Sequence, residues 1–278
     1  MRLLLLFSLG ALLLSCAEAP PEPVSAAPAI TDSTADLSAF FPEGTVGAFV
    51  GYDARSGVTT RYNPERTAER RTPASTFKIF NSLAILDAGA VTDEHEVIEW
   101  DGVERWVAGW NQDQTLETAF QRSALWVYQR LARQMGRDTL RARLDREGYG
   151  NATLGDSLEA AWLDGSLRIS PEEQITFLRR LRAGDTGFSD RAERIVREIM
   201  IADTMSGAVL RGKTGWSWRE GENLGWWVGW LERGDSLPRS SGDTYFFATT
   251  VESGDPDFEM FGVRREATDA ILRHLGVR

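Results

Sequence analysis

Cysteine, histidine and lysine are almost missing from this 278-residue chain, which has one Cys, two His, and two Lys against 29 Arg. The lone Cys16 excludes an internal disulfide. With only His95 and His274 beside it, no zinc site can be built from the usual ligand spacings, and no metal is expected. Counting alone leaves a Ser-His-Asp triad open, but neither histidine sits in a motif. No basic stripe interleaves with aromatics, and the net charge is −10, which argues against nucleic-acid binding. Beyond residue 14 no second long apolar run follows, so a polytopic membrane protein is excluded.

What remains of lysine is placed suggestively. Lys78 lies in Ser75-Thr76-Phe77-Lys78, and Lys213 opens Lys213-Thr214-Gly215. Arginine supplies a permanent charge but cannot lose its proton near neutral pH, whereas a primary amine can relay protons or attack carbon. Compositional bias explains why lysine is scarce. It does not explain where these two lie.

The N-terminus reads as an export signal. Met1-Arg2 precedes an apolar run, Leu3 to Leu14, of signal-peptide length, ending in Leu13-Leu14-Ser15-Cys16. That ending resembles a lipoprotein processing site with Cys16 as the lipidated residue; ordinary cleavage after Ala17 is the alternative. Residues 17–38, rich in Ala and Pro, read as a disordered tether, and 39–278 as one catalytic domain.

Strand patterns cover Val46–Tyr52 and Thr59–Tyr62 near the start, with a short one at Ile98–Trp100, and Ala208–Thr214, Leu224–Glu232 and Tyr245–Val251 near the end. Helical patterns lie between. One is capped by Thr72 with Pro73 first and runs to about Leu86; 115–147 is broken near Ser123 and Gly136, with Asp138 as a cap. A capping box, Ser170-Pro171-Glu172-Glu173, opens another, followed by Asp190–Ile201 and a last helix from about Glu266 to Leu275. The fold class is therefore α+β: an antiparallel sheet formed from both chain ends, flanked by helices, with an all-helical subdomain inserted.

Ser75 and Lys78, three apart on a helix, share one face, so the amine can take the hydroxyl proton. Ser75 also falls in the first helical turn, where free N–H groups favour a nascent anion. Ser123-Ala124-Leu125 alone is a helix-start Ser, Tyr149-Gly150-Asn151 a helix stop, and Lys213-Thr214-Gly215 a strand end. Their joint order raises a sharper reading. On these motifs the chain resembles the penicillin-recognising serine enzymes, most closely the class D β-lactamases, over about residues 40 to 277. Phe77-Lys78-Ile79, Asn81, Trp100-Asp101-Gly102, Trp162-Leu163 with Gly165, Leu167, Ile169 and Ser170, and Tyr245-Phe246-Phe247-Ala248 extend the likeness. A class A enzyme would have Ser-Asp-Asn in place of Ser123-Ala124-Leu125 and an Asn four residues after its loop Glu; Glu159 has Leu163 there.

The resemblance implies hydrolysis of the β-lactam amide through a Ser75 acyl-enzyme. Lys78 would be N-carboxylated by CO2 or bicarbonate as general base, in a pocket of Phe77, Leu125 and Trp162. It further implies that Ser123 and Lys213 relay a proton, Lys213 staying cationic and facing substrate. Ser75 and Trp216 N–H groups would form the oxyanion hole, and Thr214, Gly215 and Arg264 would bind the substrate, a small β-lactam. Arg265 competes with Arg264 as the carboxylate binder. A peptidoglycan transpeptidase or carboxypeptidase and a non-hydrolytic β-lactam sensor are the competing readings. Two departures stand out: Leu125 where the class has Val, and Phe80 where it often has Pro. An exported, periplasmic location with membrane association through Cys16 completes the expectation.

Overall fold

The computed structural model describes residues 31–219, 222–234 and 243–278; the leader, Cys16 and the first part of the expected tether lie outside them. One seven-stranded sheet organises the chain: β1 (Thr31–Thr34), β2 (Thr45–Asp53), β3 (Val58–Tyr62), β4 (Ile201–Met205), β5 (Ala208–Arg219), β6 (Glu222–Arg233) and β7 (Thr244–Ser253). The spatial order is β1-β3-β2-β7-β6-β5-β4. The ends of the domain meet where β2 pairs antiparallel with β7, in register from Thr45↔Ser253 to Asp53↔Tyr245.

Between the two groups of strands run α1 (Pro64–Ala68), α2 (Lys78–Asp87), α3 (Leu116–Gln121), α4 (Leu125–Met135), α5 (Arg137–Glu147), α6 (Pro171–Ala183) and α7 (Asp190–Ile199), and α8 (Met260–His274) closes the chain. β6 shows how the sheet is sandwiched. Its successive side chains point to opposite faces. Trp226, Val228 and Trp230 join the core under the inserted helices, while Trp227 and Leu231 join a second core with Ile271 and Leu272 of α8. A strand buried on both faces reads as a continuous apolar run, which is how β6 and β7 appear in the sequence.

The expected α+β architecture is present, with several local corrections. The tether does not extend to residue 38. Thr31–Thr34 pairs parallel with β3, and Leu37 is fully buried. The open edge of β3 presents unpaired backbone groups that a passing strand can satisfy. Ile98–Trp100 is not a strand but a single bridge, Ile98 to Gln114. The Asp190 helix stops at Ile199, because the next residues pair with β5 as β4. α5 is flanked by Gly136 rather than capped by Asp138. α8 starts six residues before Glu266, capped by Glu259, whose side chain accepts Phe261 N–H at 2.7 Å. Glu is not a favoured cap, which hid this start from the sequence.

The turn carrying Ser75 also differs from expectation. Ala74–Phe77 is a 3-10 turn flanked by Pro73, and the α-helix begins only at Lys78. Ala74 takes φ 49°, a left-handed conformation unusual for a residue with a Cβ. Its N–H bonds Trp162 O at 3.0 Å, which holds it there.

The capping box of α6 forms as read: Ser170 Oγ accepts Glu173 N–H at 3.1 Å, and Glu173 Oε2 accepts Ser170 N–H at 2.9 Å. Replacing Ser170 by Ala should cost about 1 kcal/mol of stability, seen as a lower urea midpoint with an unchanged slope. An unchanged midpoint would show that the box contributes nothing.

Candidate active site

Lys78 sits at the first turn of α2 and is 1% exposed, its Nζ 3.1 Å from Ser75 Oγ. Burial alone pulls its pKa from 10.5 down to about 7; among the described residues no carboxylate contributes. Around it pack aromatic rings: Nζ lies 4.9 Å from the centroid of Tyr128, and Phe77 stacks on Trp162 at 5.5 Å.

Trp162 is tied to this turn through its backbone, since its carbonyl receives the Ala74 N–H. Its own indole N–H is buried without a hydrogen-bond partner. An orphaned donor of this kind costs free energy unless an acceptor fills the place. The loop bearing Trp162 is closed at its base by Tyr149-Gly150-Asn151. Asn151 Nδ2 donates to Ser166 O at 2.7 Å and Asn151 Oδ1 accepts Arg168 N–H at 2.9 Å. Gly150 has φ 57°, and a Cβ there would lie 2.0 Å from Arg168 O, so only glycine fits. A buried amine without a counter-ion and an indole donor without an acceptor together suit one small anion. The residues present therefore fit a carboxyl group on Lys78 Nζ.

The second amine comes from the sheet. Lys213 on β5 places Nζ 2.5 Å from Ser123 Oγ and 3.0 Å from Thr214 O. Ser123 does not cap α4: it precedes the flanking Ala124 and takes φ 55°. Lys213 is only 4% exposed. Burial, then repulsion from Lys78, Arg264 and Arg265, holds its pKa well below the usual lysine range. Lys213 is thus buried within β5 rather than standing at an exposed strand end, and among the described residues no carboxylate pairs with this amine.

Trp216 and Ser75 approach through the sheet edge. Gly212 N–H turns away from β6 to bond Met200 O at 2.8 Å. With β5 in unbroken register to Arg219, alternate residues do the same, so the Trp216 N–H lies on that edge. β4 pairs no further than Arg211, leaving the edge open at Trp216. Close packing brings the turn alongside, for a Cβ on Gly215 would lie 3.0 Å from Pro73 O and 3.1 Å from the Thr76 methyl.

The two adjacent arginines are separated by α8. Arg264 is 5% exposed, donates from Nη1 to Gly215 O, and leaves Nε buried without a partner. Burial draws its pKa down to about 10. Arg265 instead stacks 4.4 Å over Trp227, away from the cleft.

Ser75, Ser123, Leu125, Thr214, Gly215, Trp216 and Arg264 line one cleft of about 580 Å³. Lys78 and Lys213 lie behind it, hydrogen-bonded to its two serines. Sequence reasoning missed most of its aromatic wall: Trp106, Trp110, Trp218 and Phe261. Richness in Trp hints at such a wall, but it does not say which of ten indoles lines the cleft.

A family model for the penicillin binding protein transpeptidase domain matches residues 43–273. The chain is 40% identical over 211 residues to β-lactamase OXA-48 of Klebsiella pneumoniae, covering 76% of each. A class D β-lactamase structure from Sebaldella termitidis superimposes with TM-score 0.82 at 34% identity, covering 89% of this chain and 99% of that one. The C-terminal domain of the Bacillus licheniformis BlaR penicillin-receptor gives TM-score 0.82 at 33% identity, covering 89% and 98%. With a Ser75–Lys78 pair, a Ser123–Lys213 pair and the β-lactamase/transpeptidase fold, the chain belongs to the class D β-lactamases.

Proposed function

We propose that the protein hydrolyses the β-lactam amide of penicillin-type antibiotics through an ester on Ser75, with Lys78 N-carboxylated, and so confers resistance. The observation that carries this reading is Lys78 itself: a buried amine 3.1 Å from Ser75 Oγ, its pKa shifted by no carboxylate among the described residues, beside Phe77, on which stacks Trp162 with its unpartnered indole N–H.

With its pKa near 7, about half of the Lys78 amines are uncharged at neutral pH, against about one in a few thousand for an ordinary lysine. An uncharged amine attacks CO2; an ammonium cannot. The carboxyl group so attached supplies a general base next to Ser75. Trp162 suits it because an indole donates and does not accept. Ser75 Oγ attacks the lactam carbon as its proton leaves toward Lys78. The N–H groups of Ser75 and Trp216 receive the charge that develops on the carbonyl oxygen. Lys213 and Ser123 deliver a proton to the departing nitrogen. Arg264 and Thr214, both lining the cleft, hold the substrate carboxylate. Water then opens the Ser75 ester.

One observation favours slow turnover and thus the penicillin-receptor alternative. Leu125 lines the cleft where the class has the smaller Val, so there is less room for a hydrolytic water. Steady-state hydrolysis of a chromogenic cephalosporin decides between them. Sustained turnover that rises with bicarbonate supports the hydrolase; one stoichiometric burst in bicarbonate would establish a receptor or transpeptidase.

Lys78→Arg keeps the charge and should lower kcat at least about a thousandfold; near-normal kcat would remove the amine from the mechanism. Trp162→Phe should raise the CO2 needed for half-maximal activity about ten- to a hundredfold, with high bicarbonate restoring rate. An unaltered requirement would show that the indole holds nothing there.

The pH dependence has a definite sign. Carboxylation of the free amine releases one proton, and of the ammonium, two. The dissolved CO2 needed should therefore rise about tenfold per pH unit on acidification above pH 7, and about a hundredfold per unit below it. A profile without that break near 7 would contradict the depressed pKa.

We further propose export, and lipid anchoring through Cys16, supported by the Leu3–Leu14 run and the Leu13-Leu14-Ser15-Cys16 ending. Cys16→Ser should shift the protein from the membrane to the soluble periplasmic fraction; unchanged partition would oppose the anchor.

A further inference from the structure

The cleft contains another cation, for which the proposed mechanism has no use. Arg122 stands immediately before Ser123, is exposed, and lines the same cleft as Ser75 and Arg264. Its guanidinium makes one long bond to a neutral group, Nη1 to Gln114 Oε1 at 3.3 Å. Among the described residues no carboxylate pairs with it and none lines the cleft.

The backbone that carries it is well held. Trp110 Nε1 donates to Arg122 O at 2.8 Å, and Trp126 Nε1 donates to Trp110 O at 3.0 Å. From Trp110 a chain of rings runs round the cleft. Trp110 lies 5.8 Å from Trp106, Trp106 lies 6.5 Å from Trp216, and Trp216 lies 5.1 Å from Phe261. At the far end Arg264 sits 5.3 Å over Phe261. Arg264, by its guanidinium, and Arg122, by its backbone, therefore terminate one aromatic arc at opposite ends. Trp106 in the middle of it is 74% exposed, a ring face offered to whatever enters.

A penicillin carries one carboxylate on its fused ring system, and Arg264 with Thr214 accounts for that group. An aromatic side chain can lie along the Trp106–Trp110 part of the arc, by offset or edge contacts. An acidic group on the same side chain would then find the planar fork of Arg122, which matches a carboxylate bidentately. We propose that Arg122 recognises a second anionic group on the substrate, so that the cleft prefers β-lactams whose acyl side chain bears both an aromatic ring and an acid. The proposal deepens the hydrolytic reading and rests on it for the identity of the ligand.

The test uses a matched pair: benzylpenicillin, and the same molecule with a carboxylate on the carbon that bears the phenyl ring. In the native protein the added carboxylate should raise kcat/KM about two- to fivefold, through KM, as expected for an exposed ion pair. The ratio should shrink as salt screens the pair. Arg122→Gln should bring the ratio near one, and Arg122→Glu should invert it. Taking the ratio of two substrates within each variant removes any loss of folded protein. A ratio that stays the same in both variants overturns the proposal.

Equilibrium binding of the same pair to the Ser75→Ala protein separates the two ideas. If neither penicillin is turned over, the hydrolytic reading fails, and the binding ratio with and without Arg122→Gln still decides the role of Arg122.

Discussion

Two amines are buried at one site and, among the described residues, no carboxylate pairs with either; the rest of the site is arranged around that constraint. Moving Lys78 from 10.5 to about 7 corresponds to about 5 kcal/mol against its ammonium form. The unfolded chain keeps the ordinary value, so folding bears this cost in full below pH 7 and sheds it between 7 and 10.5. A protein optimised for stability alone would pair the lysine or replace it with an apolar residue. Keeping it bare holds a nucleophilic amine ready at neutral pH.

The scaffold that holds these amines is rigid for identifiable reasons. Lys78 is carried by a helix whose entry turn is pinned to Trp162 O, and the Trp162 loop is pinned in turn by Asn151. Lys213 rides a central stretch of β5 that is paired along its whole length with β6. The sheet owes its own integrity to β2 and β7, which join distant parts of the chain, from Thr45 with Ser253 to Asp53 with Tyr245. Left-handed backbone at Ala74 and Ser123, directly before or at each serine, is strain that surrounding bonds must hold.

Local chemistry explains which features could be seen in advance. The α6 capping box, the glycine at the Tyr149-Gly150-Asn151 stop and the paired runs of β2, β3, β5, β6 and β7 were readable because each depends on near neighbours or on period alone. Arg264 against Arg265 was not readable. Adjacent residues on a helix point about 100° apart, and which one faces the cleft depends on where α8 begins. That start rests on Glu259, a weak cap whose role appears only in the fold. The strand β1 was hidden for a similar reason, since a short polar segment acquires strand character only when an open edge is there to pair with it.

By itself the sequence determined the identity and order of the chemical groups: a serine and a lysine three apart, a second serine, a glycine-bearing helix stop, a lysine at a strand. These follow from spacing along one chain and need no packing. Only the tertiary structure decided the state of those groups. Both lysines came from the sequence as candidate amines, Lys78 expected to be buried and Lys213 to stand at a strand end. Burial depresses both, because desolvation depends on neighbours far away in sequence. The same holds for the aromatic arc from Trp110 to Phe261 and for Arg122 at its end, assembled from three separate segments that meet only in the folded protein.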